Sequence, residues 1–301
     1  MAILFALLSA FSNATTAVLQ RLASVSQPET TGGWRTALAL VRDPRWLLGL
    51  VFMGGTFVFQ AVALYFGELA VVQPILVTEL IFTLALRRWW LRDPITPKTW
   101  TAAVMICSGL AAFLLAAHPE EGHRVATVGD WVWALTTRGL VVVVLVVLSR
   151  TGSPARRAAL LGAAAALVWA IDAAFVKAAT DLLSQSGWAS LLVHWPLYAV
   201  VASGVLGTIL VEAAFTAGPL AASQPALLIV DPLASIALGI ELFGEQLRTS
   251  VPALTVSAMG LAVMATGVVL ISVWAPPVMT SHKGKPGPGP PRAGDVAGLG
   301  L

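Results

Sequence analysis

What most narrows the folding options of this chain is a recurrence: apolar blocks of roughly 18–25 residues follow one another along most of its length. A helix needs about 20 apolar residues to cross the hydrocarbon core of a bilayer. Nine blocks meet that requirement, over residues 2–22, 46–66, 69–86, 99–117, 131–148, 158–179, 191–215, 220–243 and 251–273. A length of 301 residues would also allow two soluble domains. Composition excludes them, because 57% of the residues are hydrophobic and only 11% are charged. The expected fold is all-α and integral to a membrane. The first block lacks a basic start and is interrupted by Ser12, Asn13, Thr15 and Thr16, so it reads as a retained helix rather than a signal peptide. Cys107, the single cysteine, lies in the fourth block, so no intramolecular disulfide can form.

Lysine and arginine in short loops set the direction of insertion. Arg21, Arg35, Arg42 and Arg45 lie at or between the ends of the first two spans, and Arg87, Arg88, Arg92 and Lys98 separate the third from the fourth. Arg150, Arg156 and Arg157 separate the fifth from the sixth, and Lys283, Lys285 and Arg292 follow the ninth. An outside N-terminus gathers all fourteen on one side and leaves the opposite loops only Arg124 and Arg248. The expectation is a multi-pass plasma-membrane protein, N-terminus outside and C-terminus cytoplasmic. Trp46, Trp89, Trp90, Trp100, Trp131 and Trp188, near span ends, fit interfacial anchoring. Residues 32–43 read either as a basic amphipathic helix on the inner surface or as a solvated connector. From Ala275 the chain is rich in proline and glycine, and 275–301 read as a disordered cytoplasmic tail.

A shift of 151 positions lays the middle of the first half over the second without gaps. Gly67, Leu69 and Ala70 meet Gly218, Leu220 and Ala221; Gln73-Pro74 meets Gln224-Pro225; Leu76 meets Leu227; and Gly109-Leu110-Ala111 meets Gly260-Leu261-Ala262. The first span fits the sixth with another offset, which brings Asn13 near Asp172. Partners lie five helices apart, and an odd number inverts the second copy. The reading is two inverted-topology repeats, 1–150 with five helices and 151–274 with four. In secondary transporters built this way, substrate sites lie near the midplane between the copies.

Ionisable residues at mid-bilayer cost roughly 2.5–3.5 kcal/mol each on insertion scales and are functional candidates by default. Glu79 in span three and Asp231 in span eight fall near the centre, one residue out of register in the repeat. Asp172 lies nearer the outer side and Glu212 near the inner end of span seven. Asn13, Gln73 and Gln224 add uncharged polar groups to this candidate path, as does Gln60. Such a cavity can bind a cation or exchange a proton. The competing reading is structural, with two of the four acids neutralised by the intramembrane cations Arg138 and Lys177. Pro74, Pro225 and Pro232 each remove a backbone donor. Two of them flank Asp231, which makes span eight the expected broken helix. His118, Glu120, Glu121 and His123 read as a solvated outer loop rather than a metal site. No HExxH, GxSxG or P-loop pattern occurs, so neither an enzyme nor a cofactor is expected.

The stretches AFSNATTAVLQR, ALYFGELAVVQPILVTEL and AAFTAGPLAASQPALLIVDPLASIALGIELFGEQLR together resemble the drug/metabolite transporter superfamily, and Gly244-Glu245 resembles the Gly-Glu that closes this helix in its EamA-like branch. The resemblance covers residues 2–273 and implies a secondary transporter for a small metabolite or drug-like solute, with proton coupling as an option. Nine helices and a basic connector after the first are also similar to the NIPA-type magnesium transporters, which implies divalent-cation transport as the alternative. Asp93-Pro94 stands where the first half would repeat Gly244-Glu245. A non-transporting scaffold or membrane enzyme is the third reading, and the inverted repeat argues against it. The expected partners are the lipid bilayer and a small-molecule or cation substrate, with a homodimer as an alternative to a monomer and no nucleic acid.

Overall fold

The computed structural model describes residues 1–25, 43–90, 95–120, 122 and 124–274. The segment 32–42, the tail from Ala275, Arg92, Asp93-Pro94, Glu121 and His123 lie outside the described residues, as do the side chains of Arg21 and Trp188. Within them the chain is mostly α-helical, with one isolated β-bridge between Glu120 and Gln246. The helices are α1 Ala2–Val25, α2 Pro44–Phe66, α3 Leu69–Leu76, α4 Glu79–Trp90, α5 Pro97–Ala117, α6 Val128–Leu148, α7 Pro154–Val193, α8 Trp195–Ala217, α9 Leu220–Leu238 and α10 Val251–Trp274. With α3 and α4 counted as one span, nine segments among the described residues are long and apolar enough to cross a membrane. The protein is a multi-pass membrane protein.

Four spans begin with caps written in the sequence. Asp43, Thr96, Thr127 and Ser153 each accept a backbone N–H of their helix's first turn, and proline follows three of them at the first helical position. These polar starts extend the helices beyond the apolar blocks. The sixth span runs furthest past its block: α7 crosses as Pro154–Gly187 and turns at Gly187, whose φ of 75° suits glycine.

Span eight is not the broken helix. The break falls in span three, between α3 and α4. Pro74 supplies no N–H, and the Ile75 carbonyl is taken by the Thr78 backbone N–H (3.0 Å) and hydroxyl (2.7 Å). Leu80 and Ile81 then bond three residues back, to Val77 and Thr78, which tightens the chain before α4 proceeds. In α9, Pro225 and Pro232 lie two turns apart on one face and the helix stays continuous. It ends in a π-helical turn, Gly239–Phe243, closed by Gly244 at φ 67°.

Packing between spans is close where side chains are small. Along α1 and α2, Ser9, Ser12 and Thr16 donate to the carbonyls of Thr56 (2.9 Å), Phe52 (2.8 Å) and Gly49 (3.3 Å). Two of the residues that interrupt the first apolar block, Ser12 and Thr16, are thus part of a polar seam between helices. α5 and α10 pack antiparallel with Gly109 against Gly260. On one side, the loops after α5 and α9 clip together through Glu120 and Gln246 (2.9 and 3.3 Å) and through Arg124 N–H to the Phe243 carbonyl (3.2 Å).

Candidate functional site

A cavity of about 360 Å³ lies at the centre of the bundle. Three spans of each half line it: α1, α2 and α3–α4 from the first, α7, α8 and α9 from the second. α5, α6 and α10 contribute nothing to its wall. Asn13, Met53 and Phe57 on that wall are exposed, so the cavity is open rather than sealed.

The break in span three begins α4 at Glu79, on the cavity wall. Asn13 reaches across from α1 and donates its side-chain N–H to Glu79 Oε2. Asp231 comes from α9 and accepts a hydrogen bond from the Ser235 hydroxyl (3.3 Å) one turn on. Both carboxylates are half-buried, and Asp231 lies within electrostatic reach of Glu79 and Asp172. Gln73 also lines the cavity; it is only 3% exposed and its side-chain Nε2 has no hydrogen-bond partner among the described residues. Of the residues singled out from sequence, Glu79, Asp231, Asn13, Gln73 and Gln60 therefore share one space.

The other three lie elsewhere. Asp172 is buried between α7 and α8, where it accepts the Ser203 hydroxyl (2.7 Å). Gln224 is half-buried away from the wall, and Glu212 is exposed on α8. Neither intramembrane cation neutralises these acids. Arg138 pairs with Glu241 in the π-helical turn. Lys177 pairs with Asp181 (3.3 Å) and donates to the carbonyls of Leu64 (2.9 Å) and Gly67 (3.3 Å). His118 and Glu120 stand in solvent 4.0 Å apart, and among the described residues no group of three metal-ligating side chains forms.

Sequence reasoning passed over the apolar part of the wall: Met53, Phe57, Trp169 and Phe215. Trp169 carried a usable clue, since it lies mid-span, far from the ends where tryptophan anchors a helix. Gly207 makes room for its indole, because a Cβ there would come within 3.0 Å of the ring. A second cavity, of about 500 Å³, lies towards the clipped loops and is lined by Trp131, Lys177, Trp195 and Glu245 among others.

No family model and no solved structure matches the chain. An uncharacterized protein of Corynebacterium glutamicum is 30% identical over 252 residues, which cover 82% of this chain and 86% of that one.

Proposed function

We propose that this chain, which belongs to the same family as the Corynebacterium glutamicum protein, is a secondary transporter of the drug/metabolite transporter type, EamA-like, and that its central cavity is the solute path. The cargo in this reading is a small metabolite or drug-like solute moved across the plasma membrane, with the N-terminus outside and proton exchange at the cavity acids. One observation carries it: Glu79 and Asp231, one from each half, face a single open cavity whose wall, among the described residues, holds no basic residue.

An inverted repeat is supported by contacts that obey the 151-residue shift. A Cβ at Gly109 would meet Gly260 O and Met264 N, both at 2.5 Å; one at Gly260 would meet Gly109 O at 2.7 Å and Phe113 N at 2.8 Å. Phe113 and Met264 are themselves 151 apart, so the contact is reciprocal, as a two-fold axis requires. Gly67 and Gly218, another shifted pair, both end their helices in extended backbone. The α1–α2 pair has its counterpart in α7–α8.

The test is movement of a mixed panel of small solutes, with Mg²⁺ as a separate member, into proteoliposomes under an imposed pH gradient. Solute-dependent collapse of the gradient is expected for the wild type, and Glu79→Gln or Asp231→Asn should reduce it to the level of protein-free liposomes. Variants that move solute at the wild-type rate would make both acids structural.

A further inference from the structure

The wall of the central cavity also selects by charge and shape, provided that the cavity is the solute path. We propose that its occupant is a singly charged organic cation: an ammonium group joined to a hydrogen-bond acceptor and an aromatic or apolar body.

The charge follows from what the wall lacks. Among the described residues it presents Glu79 and Asp231 and no lysine, arginine or histidine. The nearby cations are engaged, Arg138 with Glu241 and Lys177 with Asp181. Two carboxylates on one wall repel each other when both are charged, and an arriving cation relieves that repulsion. A zwitterion or an anion would bring a carboxylate with no base to meet it.

The acceptor follows from Gln73. Gln73 lines the cavity, and its buried Nε2 has no partner among the described residues; a buried donor is costly until it finds one. A hydroxyl, ether or carbonyl oxygen of the occupant would supply it. The body follows from Phe57, Trp169 and Phe215, whose rings suit an apolar group and add cation–π attraction to an ammonium. Volume agrees: about 360 Å³ lies at the small end of the ~300–1,000 Å³ range of organic-ligand pockets. Mg²⁺ seeks octahedral oxygen ligation, and among the described residues the wall brings two carboxylates but no group of three metal-ligating side chains.

Tyramine, tyrosine and 4-ethylphenol share one ring and nearly one size, but are cation, zwitterion and neutral molecule. Binding to the purified full chain in detergent micelles at neutral pH, by titration calorimetry, should rank tyramine about tenfold or more above the other two and above Mg²⁺, as expected for a charge-assisted contact. Glu79→Gln and Asp231→Asn should each weaken tyramine about tenfold, Gln73→Leu should weaken it several-fold, and Glu79→Asp, which keeps the charge, should retain it. Equal or tighter binding of tyrosine, 4-ethylphenol or Mg²⁺, unchanged tyramine affinity in Asp231→Asn, or no binding by the series would each overturn the proposal. The proteoliposome panel separates the two readings. If a neutral or anionic solute moves in an Asp231-dependent way, the cation class falls while transport stands. If nothing moves, both fall.

Discussion

Glu245 lies just past the end of the eighth span, 3% exposed, and accepts the backbone N–H groups of Leu69 (2.6 Å) and Ala70 (2.9 Å) at the start of α3. It thus ties the second half to the first beside the larger cavity. Burial pushes its carboxyl up to about 7; the two N–H donors and Lys177 pull it back, and Glu68 adds to the push. Between its ordinary value near 4.5 and about 7 the folded protein therefore binds more protons at this site than the unfolded chain. Stability must fall as pH rises through that window, by roughly 3 kcal/mol from this group at most. Thermal unfolding in micelles should show the wild type losing stability from pH 5 to pH 8, and Glu245→Gln losing less. Parallel curves would remove Glu245 from the account. Gly244-Glu245 stood out in the sequence only by resemblance. Its role was illegible because the partner backbone lies 175–176 residues away and backbone N–H groups carry no residue signature.

At the scale of helices, apolar blocks located all nine spans because bilayer thickness leaves little choice. Their ends and breaks depended on finer chemistry. Asp43-Pro44, Thr96-Pro97 and Ser153-Pro154 start helices outside the apolar blocks, and the competition of Thr78 for the Ile75 carbonyl moved the break from span eight to span three. The Gly109–Gly260 contact was visible as a repeat, but its closeness was not. Gly109→Ala or Gly260→Ala forces α5 and α10 apart and should each cost about 1–3 kcal/mol. Gly54→Ala, where a Cβ meets nothing within 4 Å, should cost no stability. Unfolding temperatures of the three variants check this, and a Gly260→Ala protein as stable as Gly54→Ala would contradict the packing.

Over the whole molecule, six spans surround the cavity while α5 and α10 pair with each other. The polar half of the cavity wall was legible, because a carboxylate or amide inside an apolar block is conspicuous. The apolar half was not, since Phe57 and Phe215 differ from lipid-facing phenylalanines only by the direction they point. The central claim, a solute path through the cavity that these six spans surround, is most directly tested by thiol labelling. Cys107 is the sole cysteine, so Cys107→Ser gives a clean background. Thr208 is exposed on the cavity wall; Ile209, its neighbour, is 59% exposed but off that wall. In everted vesicles a membrane-impermeant methanethiosulfonate should react with Thr208→Cys and leave Ile209→Cys unmodified. Equal reaction at both positions, or none at Thr208→Cys, would contradict a solute path through the centre.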